Sequence, residues 1–393
     1  MLLAGTLLVL TALVAALVAS EWCLASQFRE VVLPKLLRHG GWRDYVGMLL
    51  VLLLIAPQRL IRLAEEWLLP ASHRPMPRTV FIVGVPRSGT THLHDCLTQA
   101  CSASAVRMRD ILCPTASMQW ILRFVARASA RLLARRYSSD AHALHEDLYE
   151  EEDQVLLHLW RGVWLSCFFS KRLNEGMANT GRMLDFDASC LRLIERCVRA
   201  VCERDGSSLF IGNPTMSSPE YERFRAHFPG ARFVVCWRHP LDQLESLYRL
   251  YEELDMHFDH VLDNKVVAVK VAERYENVIE MRRKHADDPA HFHFVPFVEW
   301  TADPEGCVHD ICEAFDLPCG TGTGTVAAPG KAGKARLQLP PNREKHGDPA
   351  KRRRHRERAL RMVRRDWHAR WAAIFAALEF DDTEVLADAP PPQ

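Results

Sequence analysis

The sequence lacks an excess of charge of either sign: lysine and arginine number 50, aspartate and glutamate 49, in 393 residues. A nucleic-acid polymer recruits its partners through uncompensated positive charge, so no such partner is expected. No C-x-x-C spacing occurs among the twelve cysteines, which excludes the redox and zinc frameworks built on it. Cys190, Cys197 and Cys202 fall instead on one helical stripe with Leu193, Ile194 and Val201 and read as small core residues. Cys307, His309 and Cys312 have no second pair at zinc spacing, so no metal site is expected. An Asn-x-Ser/Thr sequon is also missing, because Pro214 blocks Asn213-Pro214-Thr215. Apolar material is not scarce: 48% hydrophobic residues suffice for a full globular core.

That material is unevenly placed. Residues 2–19 carry no charge and are interrupted only by Gly5, Thr6 and Thr11. At about 1.5 Å per residue such a run just crosses a hydrocarbon core. No cation stands ahead of it as in a secretory signal, so residues 1–20 are expected to be an uncleaved transmembrane anchor, although Leu17-Val18-Ala19-Ser20 would permit cleavage. A second apolar run, 46–56, is too short to span and reads as interfacial, re-entrant or buried. Beyond it, Arg59, Arg62, Glu65 and Glu66 alternate with Leu60, Ile61, Leu63 and Trp67 as an amphipathic helix, which can lie on a bilayer or pack on its own domain. Residues 21–77 are therefore expected to form a membrane-proximal helical region with an interfacial segment. Arg29, Lys35, Arg38 and Arg43 place the flank after the first run on the cytosolic side, and the missing sequon leans the same way.

From residue 78 the pattern changes to short apolar strands (79–84, 208–212, 232–237 and 293–297) separated by helical stretches (141–160, 187–203, 241–254 and 266–284). Strands alternating with helices imply an α/β fold with a parallel sheet covered on both faces, three layers in all. Ligands bind such sheets at the carboxyl ends of the strands. One domain is expected over 78–318. Residues 319–386 add a Gly- and Pro-rich loop and a C-terminal helical extension of that domain, and 387–393 form a disordered, frayed tail. The basic run at 351–356 reads as a solvated helix start.

The sharpest local signal follows the first strand. Gly84-Val85-Pro86-Arg87-Ser88-Gly89-Thr90-Thr91 brackets a turn with two glycines at P-loop spacing and ends in paired hydroxyls where a helix begins. Successive backbone N–H groups and a helix N-terminus then converge on one phosphate. A nucleoside triphosphatase has lysine where Thr90 stands. Here the loop's cation is Arg87, three positions earlier, which suits a donor with a single 5′-phosphate bearing a transferable group. The second signal is Arg238-His239-Pro240 at the end of the third strand, with Ser246 about two turns into the following helix. A guanidinium and a hydroxyl so placed can share one phosphate monoester.

Together these motifs, with Phe228-Pro229-Gly230-Ala231-Arg232-Phe233 ahead of the second, resemble the sulfotransferases that use 3′-phosphoadenosine 5′-phosphosulfate, in their broad membrane-associated and bacterial-like branch. The resemblance covers about residues 79–318. It implies a P-loop-type fold, in-line transfer of a sulfuryl group to an acceptor hydroxyl, and no metal. It assigns Pro86, Arg87, Ser88, Gly89, Thr90 and Thr91 to the 5′-phosphosulfate and Arg238 with Ser246 to the 3′-phosphate. It further implies an unidentified hydroxyl acceptor (glycan, lipid or small alcohol); with the apolar run 2–19 the expected location is a membrane, single-pass or monotopic, and the Golgi or another endomembrane if the cell is eukaryotic. The sequence departs from the branch at Gly212, where many members carry a lysine before Asn-Pro.

Sulfuryl transfer also needs a base near the acceptor's proton. The acidic run from His145 to Gln154 matches the branch's acidic helix, and by that match Glu151, Glu152 and Asp153 are the candidates. Glu152 is preferred, and His145 comes second. Arg87, Glu152 and Glu151 are thus the expected catalytic residues. Two other readings stay open: a P-loop nucleotide kinase, which Thr90 opposes, and a catalytically impaired membrane scaffold, which Gly212 raises.

Overall fold

Four runs rich in Val, Ile and Phe pair side by side because each is apolar on both faces, as a doubly covered parallel sheet requires. They are β1 (Arg78–Gly84), β2 (Leu209–Gly212), β3 (Arg232–Trp237) and β4 (Phe292–Pro296). All neighbours are parallel, in the order β2-β1-β3-β4. The structure is a computed structural model of the chain; it describes residues 25–68, 75–121, 148–161, 186–214, 218–258, 264–319 and 348–387, with scattered residues between them. The expected strands agree with the observed ones to within one residue at each end.

Alternation along the strands feeds two cores. Phe81, Val83, Phe210, Phe233 and Val235 face one side, and Val80, Ile82, Ile211, Val234 and Cys236 the other. The helices used below are α1 (Trp42–Leu68), α2 (Thr90–Ala100), α3 (Ala116–Ile121), α4 (Ala188–Asp205), α5 (Pro240–Phe258), α6 (Asn264–His285), α7 (Pro304–Ala314) and α8 (Pro349–Arg365). Helix α4 starts where Asp187 accepts from the N–H groups of Ser189 and Cys190, and ends at Gly206 in the left-handed region. Its buried face carries Cys190, Cys197 and Cys202 as the stripe requires, with burial pushing the Cys190 thiol up to about 12. Helix α8 docks on α5: Arg352 pairs with Glu245 at 2.6 Å, and Arg356 with Asp242 and Glu384. The basic run therefore opens a helix, and three of its arginines, Arg352, Arg353 and Arg356, are ion-paired.

Two expectations change. The helix expected over 141–160 is not an α-helix where it is described. Leu148 to Glu150 run extended, because Met108 N–H donates to Leu148 O at 3.1 Å and Glu150 N–H to Val106 O at 3.0 Å. The chain then forms a 3₁₀ helix, Glu152–Leu159. The apolar run 46–56 proves to be the middle of one 27-residue helix, α1. Among the described residues this is the one helix long and apolar enough to cross a membrane, and 47% of that stretch is buried inside the fold. Asp44 on α1 accepts from the N–H and hydroxyl of Ser170 at 2.6 and 3.0 Å, and Arg59 donates to His158 O at 2.8 Å. Most of the run 2–19, the loop from 320 to 347 and the tail from 388 lie outside the described residues.

The sheet's centre is tightest at Gly84, whose φ is +140° and where an added Cβ would stand 1.9 Å from Cys236 O. Gly230, at φ +80°, has nothing within 4 Å of that position. Gly84→Ala is expected to lose about 3 kcal/mol or more of unfolding free energy, from overpacking and backbone strain together. Gly230→Ala should lose only the backbone component, about 1–2 kcal/mol. Denaturant titration of both variants checks the ranking.

Candidate active site

The site lies at the carboxyl ends of β1, β2 and β3, where the strand order reverses direction around β1 and opens a crevice. Leaving β1, the chain turns through residues 85–89 with Arg87 at φ +68° and Gly89 at φ +80°, and α2 begins at Thr90. Ser88 is fully buried; its hydroxyl donates to Val85 O at 2.6 Å and closes the loop on itself. The unpaired N–H groups of the first turn of α2 face the loop, as every helix N-terminus leaves them.

The second motif is held to the first by backbone-directed bonds. Gln243 on α5 donates to Pro86 O at 2.9 Å, and Tyr275 on α6 donates to Arg238 O at 2.6 Å. Arg238 lays its guanidinium over the Phe297 ring at 4.2 Å and reaches Arg87 O at 3.4 Å. Arg87 Nε donates to Ser246 Oγ at 3.1 Å. Arg87, Arg238 and Ser246 thus meet beside the loop and helix start that carry Pro86, Ser88, Gly89, Thr90 and Thr91. The sequence reading had kept the two motifs apart, one for each phosphate; in the structure Arg87 bridges them.

Glu152 opens the 3₁₀ helix and is wholly buried. One carboxyl oxygen accepts from Asn213 N–H at 2.8 Å, and the other has no hydrogen-bond partner among the described residues. That second oxygen lies 2.4 Å from where a Cβ on Gly212 would stand. Gly212, read from sequence as a missing cation, is therefore the space that Glu152 fills. Burial pushes the Glu152 carboxyl up to about 8; its own backbone N–H and that of Asn213 oppose this, and the neighbouring Asp153 and Glu151 add to it. Glu151 stands at the N-cap position of the same helix without a side-chain capping bond and is half-buried, and Asp153 is fully buried. His145 lies outside the described residues.

Three residues escaped the sequence reading. His94 on α2 is buried, with Nε2 2.9 Å from Ile211 O and its ring 5.6 Å from Tyr149, at the same end of β2 as Glu152. Phe297 and Trp300 follow β4 and pack directly against Gly89; the buried Trp300 indole N–H has no acceptor among the described residues. An aromatic pair just past a parallel strand's carboxyl end was the available signal. Among the described residues no group of three or more His, Cys, Asp or Glu is arranged to hold a metal. Cys312 faces Cys101 at 3.6 Å and Cys319 lies 3.8 Å from His309.

Residues 77–320, more than half of the chain, match the family described as "Sulfotransferase family". No curated protein matches the chain by sequence. Among solved structures it is similar to the sulfotransferase STF1 of Mycobacterium tuberculosis H37Rv, with a TM-score of 0.58 and 18% identity over 79% of this chain and 90% of that one. The sulfotransferase STF9 of Mycobacterium avium gives 0.53 and 17% over 71% and 74%. At these identities the two structures establish a shared fold.

The burial of Glu152 sets a pH dependence. Its carboxyl keeps a proton in the folded chain up to about pH 8, whereas an unfolded glutamate ionises near its ordinary 4.5. Between those values the folded state holds the extra proton, so this group's contribution to stability falls as pH rises. Glu152→Gln should flatten the pH dependence of unfolding between pH 5 and 8 by up to about 1.4 kcal/mol per pH unit. Denaturant titrations at several pH values measure it, and parallel curves for the two proteins would contradict it.

Proposed function

The chain belongs to the sulfotransferase family, and from that premise we propose that it transfers a sulfuryl group from 3′-phosphoadenosine 5′-phosphosulfate to an acceptor hydroxyl at a membrane. The observation that supports this most is the meeting of Arg87, Arg238 and Ser246 in one crevice beside a glycine-bracketed loop. One group of residues suits a 5′-phosphate carrying the transferable group, the other a 3′-phosphate. The residues present fit such a donor: the loop supplies backbone N–H groups and no lysine at Thr90, and the indole N–H of Trp300 stands against Gly89. When bound, the donor supplies an activated sulfuryl group on a phosphate leaving group.

The chain's own residues then divide the work. Pro86, Ser88, Gly89, Thr90 and Thr91 shape and line the anion cradle. Arg238 and Ser246 hold the 3′-phosphate. Arg87 sits at the junction, where its charge can meet density growing on the bridging oxygen. Glu152 accepts the proton of the acceptor hydroxyl in its ionised form, which burial confines to pH values near and above about 8, with Glu151 beside it at the start of the helix. The acceptor is a glycan, a lipid or a small alcohol. Residues 1–20 anchor the enzyme in a membrane, an endomembrane if the cell is eukaryotic. A nucleotide kinase is opposed by Thr90; an impaired scaffold, raised by the missing lysine at Gly212, is the alternative, and donor binding without transfer to any acceptor would favour it.

The full chain in detergent should bind adenosine 3′,5′-bisphosphate far more tightly than AMP or ATP. Calorimetry decides this, and equal affinity for AMP would show that Arg238 and Ser246 hold no 3′-phosphate.

Kinetics should separate the two arginines. The 3′-phosphate is remote from the reacting sulfur, so Arg238→Ala should raise the donor KM with a smaller fall in kcat. Arg87→Ala should depress kcat by about two powers of ten, roughly 2.7 kcal/mol of transition-state stabilisation. Steady-state constants at saturating acceptor test the pair, and the opposite pattern would reverse the assignment.

A further inference from the structure

Helix α1 has two apolar faces, and the fold uses only one. Asp44, Gly47, Val51, Ile55 and Arg59 turn inward: an added Cβ at Gly47 would lie 1.8 Å from Phe168 O, Val51 and Ile55 are fully buried, and Arg59 bonds His158 O. On the opposite side Trp42, Leu50, Leu53 and Leu60 are 75%, 53%, 49% and 60% exposed. At about 100° per residue these four lie within about 80° of one another, a single stripe about 27 Å long. Trp120 on α3, which packs on α1, and Phe124 just beyond α3 are exposed as well, at 76% and 69%. Soluble surfaces rarely leave so long an apolar stripe open unless something covers it.

We propose that this outward face of α1 beds in the plane of a lipid bilayer while the inward face carries the catalytic domain, so that the protein rests on the membrane through α1 and does not cross it there. This rests on the reading that the enzyme is membrane-bound. The bilayer is favoured over other occupants by three features. The stripe offers no charged group for a partner protein to bond, whereas protein interfaces carry about one hydrogen bond per 100–200 Å². The apolar run 2–19 precedes it in the chain. Arg38 and Arg43 are exposed at its N-terminal end, beside Trp42, which is the arrangement of cations and an amphipathic ring that suits anionic headgroups. A spanning α1 would instead strip Asp44 and Arg59 of the bonds they make with the catalytic domain and carry both charges into hydrocarbon.

The test uses the full chain on sealed vesicles of phosphatidylcholine and phosphatidylserine doped with a diazirine-bearing lipid, with adducts located by peptide mass spectrometry after illumination. Lipid adducts are expected on Trp42, Leu50, Leu53 and Leu60 at about tenfold over Asp44, Val51 and Ile55, as for a helix lying in the interface. Equal labelling of both faces would mean a spanning helix and overturn the proposal. Adducts confined to residues 2–19 would also overturn it while leaving the membrane-bound reading intact. An absence of adducts anywhere would sink both. A bifunctional photo-reagent added in parallel covers the remaining occupant: links joining two chains through Leu53 or Leu60, in place of lipid adducts, would assign the face to a second copy.

Discussion

The site depends on how closely β1 passes β3 at Gly84. No side chain fits there, since a Cβ would meet Cys236 O at 1.9 Å. The glycine lets β1 run flush to its end, and Val85 N–H then reaches the same carbonyl at 3.1 Å, one residue beyond the strand. The loop 85–89 is thereby pinned level with the end of β3, and Arg238 leaves that end within reach of Arg87. Gln243 and Tyr275 tie the loop and the strand end to α5 and α6. Anion binding by backbone N–H groups works only when the groups already point at one place, because ordering them on binding would cost conformational entropy. The close approach at Gly84 supplies that order in advance.

A second exclusion operates at Gly212. A carboxylate taken wholly out of water is costly unless it is paired or protonated. Glu152 has one backbone donor and an unpartnered oxygen, and burial holds it largely protonated at neutral pH. A larger residue at 212 would collide with that oxygen. Small residue and buried acid are therefore one feature of the site: the space left at the end of β2 is what admits the carboxyl from a different segment of the chain.

How much of this was legible follows from how local each signal is. The strands and the loop were readable because apolar runs and glycine spacing are written within a few residues, as in Phe81 to Thr91. Arg238 and Ser246 were readable for the same reason. Leu148 to Glu150 were misread as helical because their conformation is imposed by Val106 and Met108, some forty positions earlier, which no periodicity in the acidic run could report. What Gly212 makes room for was not readable, because Glu152 is sixty positions away in sequence. Phe297 and Trp300 become site residues only through their packing on Gly89. The α1 segment was split into an apolar run and an amphipathic one because its two faces differ in partner, while the backbone is continuous.

That continuity makes α1 more than an attachment. Leu157 and Trp160, at and just past the end of the 3₁₀ helix, share a buried cluster with Val51, Leu52 and Ile55 of α1. His158 between them is held neutral, its imidazole lowered to about 3 by burial and, secondarily, by the charges of Arg62 and Arg59, while Arg59 bonds its carbonyl. The acidic helix is thus fixed at its start by Asn213 at the end of β2 and at its finish by α1. A 3₁₀ helix of this length is weak by itself, since its hydrogen bonds are poorly aligned, so its position must come from what it packs against. Remove α1 and the cluster that fixes the far end of the Glu152 helix is lost. The segment that leaves an apolar face exposed is therefore also the wall against which the Glu152 helix is built.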